Sequence, residues 1–164
     1  MSLTETAFRA VHRLFPARPA HAHCDVPCGI YDPVAAKIAA LTVLKMVMRI
    51  EALERPSDGD AAAHADYNNK LIRYTATKEQ HAELCKRELV ILWGDYFRPD
   101  HLEKCPDLHT QVWTAVKLGG RNKQNVDRGA AQELVEAVDR IAQIFWETKN
   151  VAYDDAVGQV RFGA

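Results

Sequence analysis

The chain has 164 residues, a formal net charge of -1 at pH 7, 48 % hydrophobic residues and 26 % charged residues. That length supports one domain with a hydrophobic core, and the near-zero charge excludes a global field of the kind that draws proteins to nucleic acid or an anionic membrane. No apolar run reaches the roughly 20 residues of a membrane helix; the longest, Ala35 to Leu53, is interrupted by Lys37, Lys45, Arg49 and Glu51.

Residues 1–22, MSLTETAFRAVHRLFPARPAHA, form the first unit. Phe8, Val11, Leu14 and Phe15 are spaced like one face of a short helix, and Arg13 and Arg18 outweigh Glu5. The segment lacks the continuous apolar region of about 7–15 residues that a secretory signal carries. It ends Ala20-His21-Ala22, a small-x-small pattern favoured at cleavage sites. It reads as a removable leader, or as a frayed terminus if nothing downstream needs a new N-terminus.

The next stretch, HCDVPCGIYDP, begins at His23 and concentrates metal-binding chemistry. Pro27 fixes its own φ and Gly29 tolerates positive φ, so the segment can curl and bring the Cys24 and Cys28 sulfurs together. Two thiolates make a soft site suited to Zn, Cu(I), Fe–S or Ni, and His23 adds an imidazole. A structural zinc site wants a fourth Cys or His at a recognisable spacing, which the sequence does not offer. Three residues separate the cysteines, one more than a redox C-x-x-C has. A plain disulfide between Cys24 and Cys28 stays open. Cleavage after Ala22 would change the donor set. The His23 amine, with an unperturbed pKa of about 7.7–8.0, would join one amidate and two thiolates in a planar N2S2 set, a geometry typical of Ni(II) or Cu(II).

Asp32 and Pro33 then signal a helix start. The first predicted helix runs to about Glu54, with Ile38, Leu41, Leu44, Val47 and Met48 as its inward side, and Arg55 to Gly59 breaks it. The second covers about Ala61 to Tyr96, supported by Tyr67, Leu71, Tyr74, Leu84, Ile91 and Leu92, with a bend expected at Thr75 to Thr77. Pro99 to Pro106 reads as a loop. The third helix starts near Asp107, faces inward with Leu108, Val112, Ala115 and Val116, and is expected to stop at Gly119-Gly120. The fourth runs from about Asp127 to Lys149 on Leu134, Val138, Ile141 and Phe145. Residues 151–164 read as a weakly ordered tail. No alternating strand pattern appears, so the expected fold is all-α: a four-helix bundle with an N-terminal metal-binding hook loop. The Met, Trp and Leu stripes read as core, Cys85 as a small buried hydrophobe, and Cys105 as a loop residue without a role. His64, His101 and His109 read as surface or capping groups.

The motif His23-Cys24-Asp25-x-Pro27-Cys28-Gly29-x-Tyr31-Asp32-Pro33 resembles the N-terminal nickel hook of nickel-containing superoxide dismutase. KEQHAEL (78–84), LWGDYFRPDHLEKCPDLHT (92–110) and IAQIFWETK (141–149) are similar to segments of the same family at the right distances. The resemblance implies an enzyme that converts two superoxide anions and two protons to O2 and H2O2 by Ni(II)/Ni(III) cycling. It implies one nickel ion per subunit, held by the His23 amine, the Cys24 amide nitrogen and the Cys24 and Cys28 thiolates. The His23 imidazole would be axial in the oxidised state. It further implies leader removal by a maturation peptidase, a domain over 23–150 with the hook at 23–31, and a homohexamer. Tyr31 and Tyr96 resemble tyrosines lining the substrate approach, and Asp25 the aspartate that orders the hook. Some members hold the hook imidazole with a Glu on the first helix and an Arg on the second. This chain has Ala39 and His81 there; Ala39 can hold nothing, and the charge of His81 depends on pH. The expected compartment is the cytoplasm, where reduced thiols stay available for metal, with export suggested only by Ala20-x-Ala22. Two other readings are a metal-handling bundle without turnover and a structural bundle with an adventitious cysteine pair.

Overall fold

Asp32 opens the first helix in the computed structural model, which describes residues 29–163. Its Oδ1 accepts the Val34 N–H at 2.8 Å, and Pro33, at φ -70°, takes the capping position rather than the first helical one. Helix α1 spans Val34–Glu51, α2 Ala61–Ile91, α3 Pro99–Lys104, α4 Leu108–Gln124, α5 Arg128–Thr148 and α6 Gly158–Phe162. Asp60 and Asp127 cap α2 and α5 by accepting from the N–H groups of Ala63 and Ala130. The long helices α1, α2, α4 and α5 are the four expected from the sequence. They pack as an all-α four-helix bundle, with no strand among the described residues. No helix among these residues is long and apolar enough to cross a membrane.

The inward faces follow the expected spacing in α4 and α5 and only in part in α1, where Val47 is buried and Leu44 packs against the core but Ile38 does not. Leu134, Val138, Ile141 and Phe145 of α5 are buried, as are Leu108, Val112 and Ala115 of α4. In α1 the buried stripe is Ala36, Ala39, Ala40, Val43 and Val47, while Ile38 is 48 % exposed. Small residues let the α1 and α2 backbones approach closely, so the bulky side chains sit on the flanks. Likewise α2 buries Lys78, Ala82, Cys85 and Leu89, and leaves Leu84 exposed. Trp93 and Trp113 are exposed and Trp146 is half-buried, so the tryptophans are not core.

Three further elements depart from expectation. α2 continues unbroken through Thr75 to Thr77 and then relaxes into a π-helical turn, Leu92–Tyr96, closed by the Phe97 N–H donating to the Leu92 carbonyl at 3.0 Å. The Pro99 to Pro106 loop contains α3, and His101 is buried at its start, where its Nδ1 accepts the Arg98 N–H. α4 passes through Gly119-Gly120 without stopping. A Cβ at Gly119 would lie 2.6 Å from Lys86 Cγ, so this glycine admits a crossing side chain rather than ending the helix.

What ends α4 is a buried lysine. The Lys78 ammonium donates to the carbonyls of Asn122, Lys123 (3.0 Å) and Asn125 (2.9 Å). A helix C-terminus leaves carbonyls without partners and carries a partial negative charge, so a cation there satisfies both. Burial pushes the Lys78 pKa below its ordinary value, with Glu79 opposing. Replacing Lys78 by Met is expected to cost about 2–4 kcal/mol, because the carbonyls stay buried without a donor. Lys70→Met, which loses one exposed pair with Asp66, is expected to leave stability almost unchanged. Urea unfolding of the two variants checks the contrast.

Candidate metal centre

The expected ligands His23, Cys24 and Cys28, together with Asp25, lie outside the described residues. What the structure describes is the root onto which they join. Gly29 has φ +72°, the left-handed turn that the sequence reserved for a glycine. Ile30 follows, 78 % exposed, and then Tyr31, Asp32 and the capped start of α1.

Two of the expected site residues, far apart in sequence, meet here. The rings of Tyr31 and Tyr96 lie 5.5 Å apart at 54°. Tyr96 is presented by the π-helical turn, a local widening of the helix that often accompanies functional sites. Its ring packs on Phe145 at 4.4 Å and stacks with His101 at 5.6 Å. The Lys149 ammonium lies 5.1 Å from the Tyr96 ring centroid, a cation–π contact. The Tyr96 hydroxyl bonds Thr148 Oγ1, whose own proton goes to the Phe145 carbonyl at 2.6 Å. A threonine hydroxyl carries one proton, so Tyr96 must be the donor to Thr148. His101, Thr148 and Lys149 were not identified as members of this cluster from sequence. The i, i+4 spacing of Phe145 and Lys149 on an amphipathic helix was the signal available for Lys149.

The positions expected to orient the His23 imidazole are less well equipped. Ala39 is fully buried in the close-packed face of α1. The Nδ1 of His81 lies 2.9 Å from the Thr77 carbonyl of its own helix. A carbonyl only accepts, so Nδ1 carries a proton and a neutral His81 offers Nε2 as an acceptor. The Nδ1 proton of His81 is therefore engaged within its own helix, which leaves Nε2 as the acceptor in the neutral ring.

The remaining cysteines are poor ligands. Burial pushes the Cys85 thiol up to about 12. Burial, with help from Asp107, which accepts its S–H at 3.2 Å, pushes Cys105 up to about 11. A thiol that stays protonated neither binds metal well nor attacks. Among the described residues, no group of three or more His, Cys, Asp or Glu side chains is placed to hold a metal ion.

Comparison with known proteins bears on this arrangement. Residues 18–149 match a family model described as nickel-containing superoxide dismutase. The chain is 42 % identical over 138 residues to the nickel superoxide dismutase of Streptomyces seoulensis, covering 84 % of this chain and 96 % of that one. It is 39 % identical over 138 residues to the Streptomyces coelicolor enzyme, with coverage of 84 % and 96 %. A solved nickel-containing superoxide dismutase, captured after partial X-ray-induced reduction, superposes with a TM-score of 0.68 at 40 % identity, over 79 % of this chain and 100 % of that one. A native nickel superoxide dismutase structure gives a TM-score of 0.67 at 37 % identity, over 77 % and 99 %.

The Tyr96 cluster yields a stability test. Tyr96→Phe keeps the ring contacts and loses the hydroxyl bond, and Thr148→Val loses that bond together with its own bond to the Phe145 carbonyl. Tyr96→Phe is expected to cost about 1 kcal/mol and Thr148→Val more, with the double variant costing little more than Thr148→Val alone, because the Tyr96–Thr148 bond is already lost in it. A double-mutant cycle by urea unfolding measures the coupling.

Proposed function

The chain belongs to the nickel-containing superoxide dismutase family, and from that premise we propose that its nickel site is built by His23, Cys24 and Cys28 once residues 1–22 are removed. The chain is a superoxide dismutase, and nickel is its metal. The observation that carries the finer reading is that the family match runs continuously from residue 18 through the Cys24/Cys28 segment to the end of the bundle.

The donor chemistry fits the metal. The His23 amine, the Cys24 amidate and the Cys24 and Cys28 thiolates would form an anionic donor set that suits nickel. Their charge donation would make the higher oxidation state accessible, and nickel held there would supply one-electron chemistry. The balanced reaction takes an electron from one superoxide, releasing O2. It returns that electron with two protons to a second superoxide, giving H2O2. An uncut chain offers an amide nitrogen at His23 in place of the amine, which is why leader removal belongs to the reading.

The rest of the chain positions and selects. Asp25 helps order the ligand segment, and the Gly29 turn delivers it to the bundle. Tyr31 and Tyr96 wall the approach. Because Tyr96 directs its proton to Thr148, its ring is held as a wall. Lys149 sets a positive charge on that wall, and a cation beside an approach raises the local concentration of an anionic substrate. Further parts of the proposal are one nickel ion per subunit, a homohexamer, a dedicated maturation peptidase and a cytoplasmic location. Reduced thiols there would keep Cys24 and Cys28 free for metal.

Intact-mass and metal analysis of protein made with nickel and its processing machinery tests this. The expected product begins at His23 and carries about one nickel per subunit, as a single N2S2 set would hold. A chain cut in vitro to His23 that takes up no nickel overturns the site. For steering, Lys149→Gln is expected to lower the dismutation rate about 2–5-fold at low salt and to flatten its dependence on ionic strength. Equal salt slopes for variant and parent would remove Lys149 from the approach.

A further inference from the structure

Residues 150–163 lie beyond the range that the family model matches, and their residue pattern points to no role. In the structure they fold back on the bundle. Asn150 takes φ +58°, and the Val151 N–H donates to the Trp146 carbonyl at 3.0 Å, so the end of α5 turns the chain back on itself. Asparagine tolerates this left-handed position better than most residues. The Tyr153 hydroxyl donates to Asp139 of α5 at 3.0 Å. Asp155 pairs with Arg161 at 2.8 Å. Between Asp139 and Asp155 sits the ammonium of Lys37, bonded to the first and 3.8 Å from the second. Farther along α1, the Lys45 ammonium lies 4.8 Å from the Phe162 ring centroid and donates to the Gly163 carbonyl at 3.2 Å.

The segment thus spans α1 from Lys37 to Lys45. Lys37 lies in the first turn of α1 and is only 6 % exposed. Beside it, a cavity of about 290 Å³ has Asp32, Pro33 and Val34 on one side and Ala152, Tyr153 and Val157 on another. One wall of this cavity is therefore the root of the ligand-bearing segment, and another is the returning chain.

We propose that residues 151–162 form a strap that positions the N-terminal metal-binding segment by clamping the first turn of α1, with Tyr153 and Asp155 as positioning residues. The inference rests on the nickel site at His23, Cys24 and Cys28 proposed above. Helix ends fray more readily than helix middles, and α1 starts on a single side-chain cap with no acidic residue in its first turn. The strap opposes that fraying from outside the bundle. Lys37 keeps its bond to Asp139 when the strap loosens, so no buried charge is orphaned and the core has no reason to open. The Tyr153 phenol is pushed well above its ordinary pKa by burial and by Asp139, so it stays a donor across the working range.

The test uses the full-length chain after maturation, as parent and as the near-isosteric double variant Tyr153→Phe/Asp155→Asn. Two quantities are read: hydrogen exchange of the amides of residues 35–38 in metal-free protein, and nickel release to excess EDTA from loaded protein. The expected result is exchange at 35–38 and nickel release each about 3–10-fold faster, with exchange in α2, α4 and α5 unchanged. Phe162→Ala, which loosens the far end of the strap without touching Lys37, is expected to shift both in the same direction and by less. Unchanged exchange at 35–38 overturns the strap. Faster exchange throughout the core also overturns it, since the segment would then be a general stabiliser. Faster exchange at 35–38 with unchanged nickel release overturns the link to the metal segment. A parent chain that takes up no nickel after leader removal overturns the nickel site itself, and the exchange measurement on metal-free protein still decides the clamp.

Discussion

The bundle closes on one buried ammonium. Lys78 projects from the middle of α2 and gathers the carbonyls that α4 leaves at its C-terminus. Around it, Asn122 donates to the carbonyls of Leu118 and Ala130, and Arg121 pairs with Asp127, which itself caps α5. The α4–α5 corner is thereby fixed to α2 by groups whose partners are specified individually. Hydrophobic contact alone is non-directional and sets no such register. Once the corner is fixed, the regular rise of α5 determines where its far end arrives, and Phe145, Thr148 and Lys149 come to lie around Tyr96. The geometry of the site end is thus set in part by a polar joint at the opposite end of two helices.

The site end is built differently. Its aromatic rings pack in tilted and edge contacts, its helix widens into a π turn, and its charges sit at the margin. The whole chain carries a net charge of -1, and without residues 1–22, which hold Arg9, Arg13, Arg18 and Glu5, the charge is -3, so the overall field does not draw an anion in from a distance. In the proposed function, attraction falls to cations near the approach, acting within a Debye length of about 8–10 Å. Lys149 lies over the Tyr96 and Phe145 rings and forms no ion pair with a carboxylate among the described residues, which suits that proposed role.

The sequence revealed what depends on spacing and concealed what depends on small or charged residues. α5 was legible because Leu134, Val138, Ile141 and Phe145 are large and recur at helical spacing. α1 was misread in part because its inward stripe is mostly alanine, and Ile38 and Leu41 carried a stronger apolar signal from the flanks. Lys78 was invisible as a core residue, since a lysine in an amphipathic helix ordinarily points to water. Gly119 read as a stop because a glycine that admits a crossing side chain looks the same as one that ends a helix. The strap was illegible because its contacts depend on Lys37, Asp139 and Lys45, all distant in sequence. The His23, Cys24 and Cys28 cluster stands out locally in the sequence and lies outside the described residues. The meeting of Tyr31 with Tyr96 joins residues at the two ends of the bundle's first half, and only the family resemblance suggested it.

The bundle interior is also a poor place for thiolate ligands, which favours the proposed site at the chain's N-terminal segment. The pKa of Cys85 shows what the core does to a thiol: burial raises it to about 12 and holds the proton on sulfur. A pair of thiolates and an amidate placed in that interior would carry a desolvation penalty of several kcal/mol per charge before any metal arrived. Ligands on a chain terminus avoid that penalty, and their groups can lose protons as a metal binds. A site proposed there needs a frame that aims it. The Gly29 turn, the Asp32 cap, the Tyr31–Tyr96 contact and the returning segment beside the first turn of α1 are the described parts of such a frame. On the proposed site, two requirements that conflict in one place are separated: a polar, deprotonatable ligand set and a rigid frame to aim it.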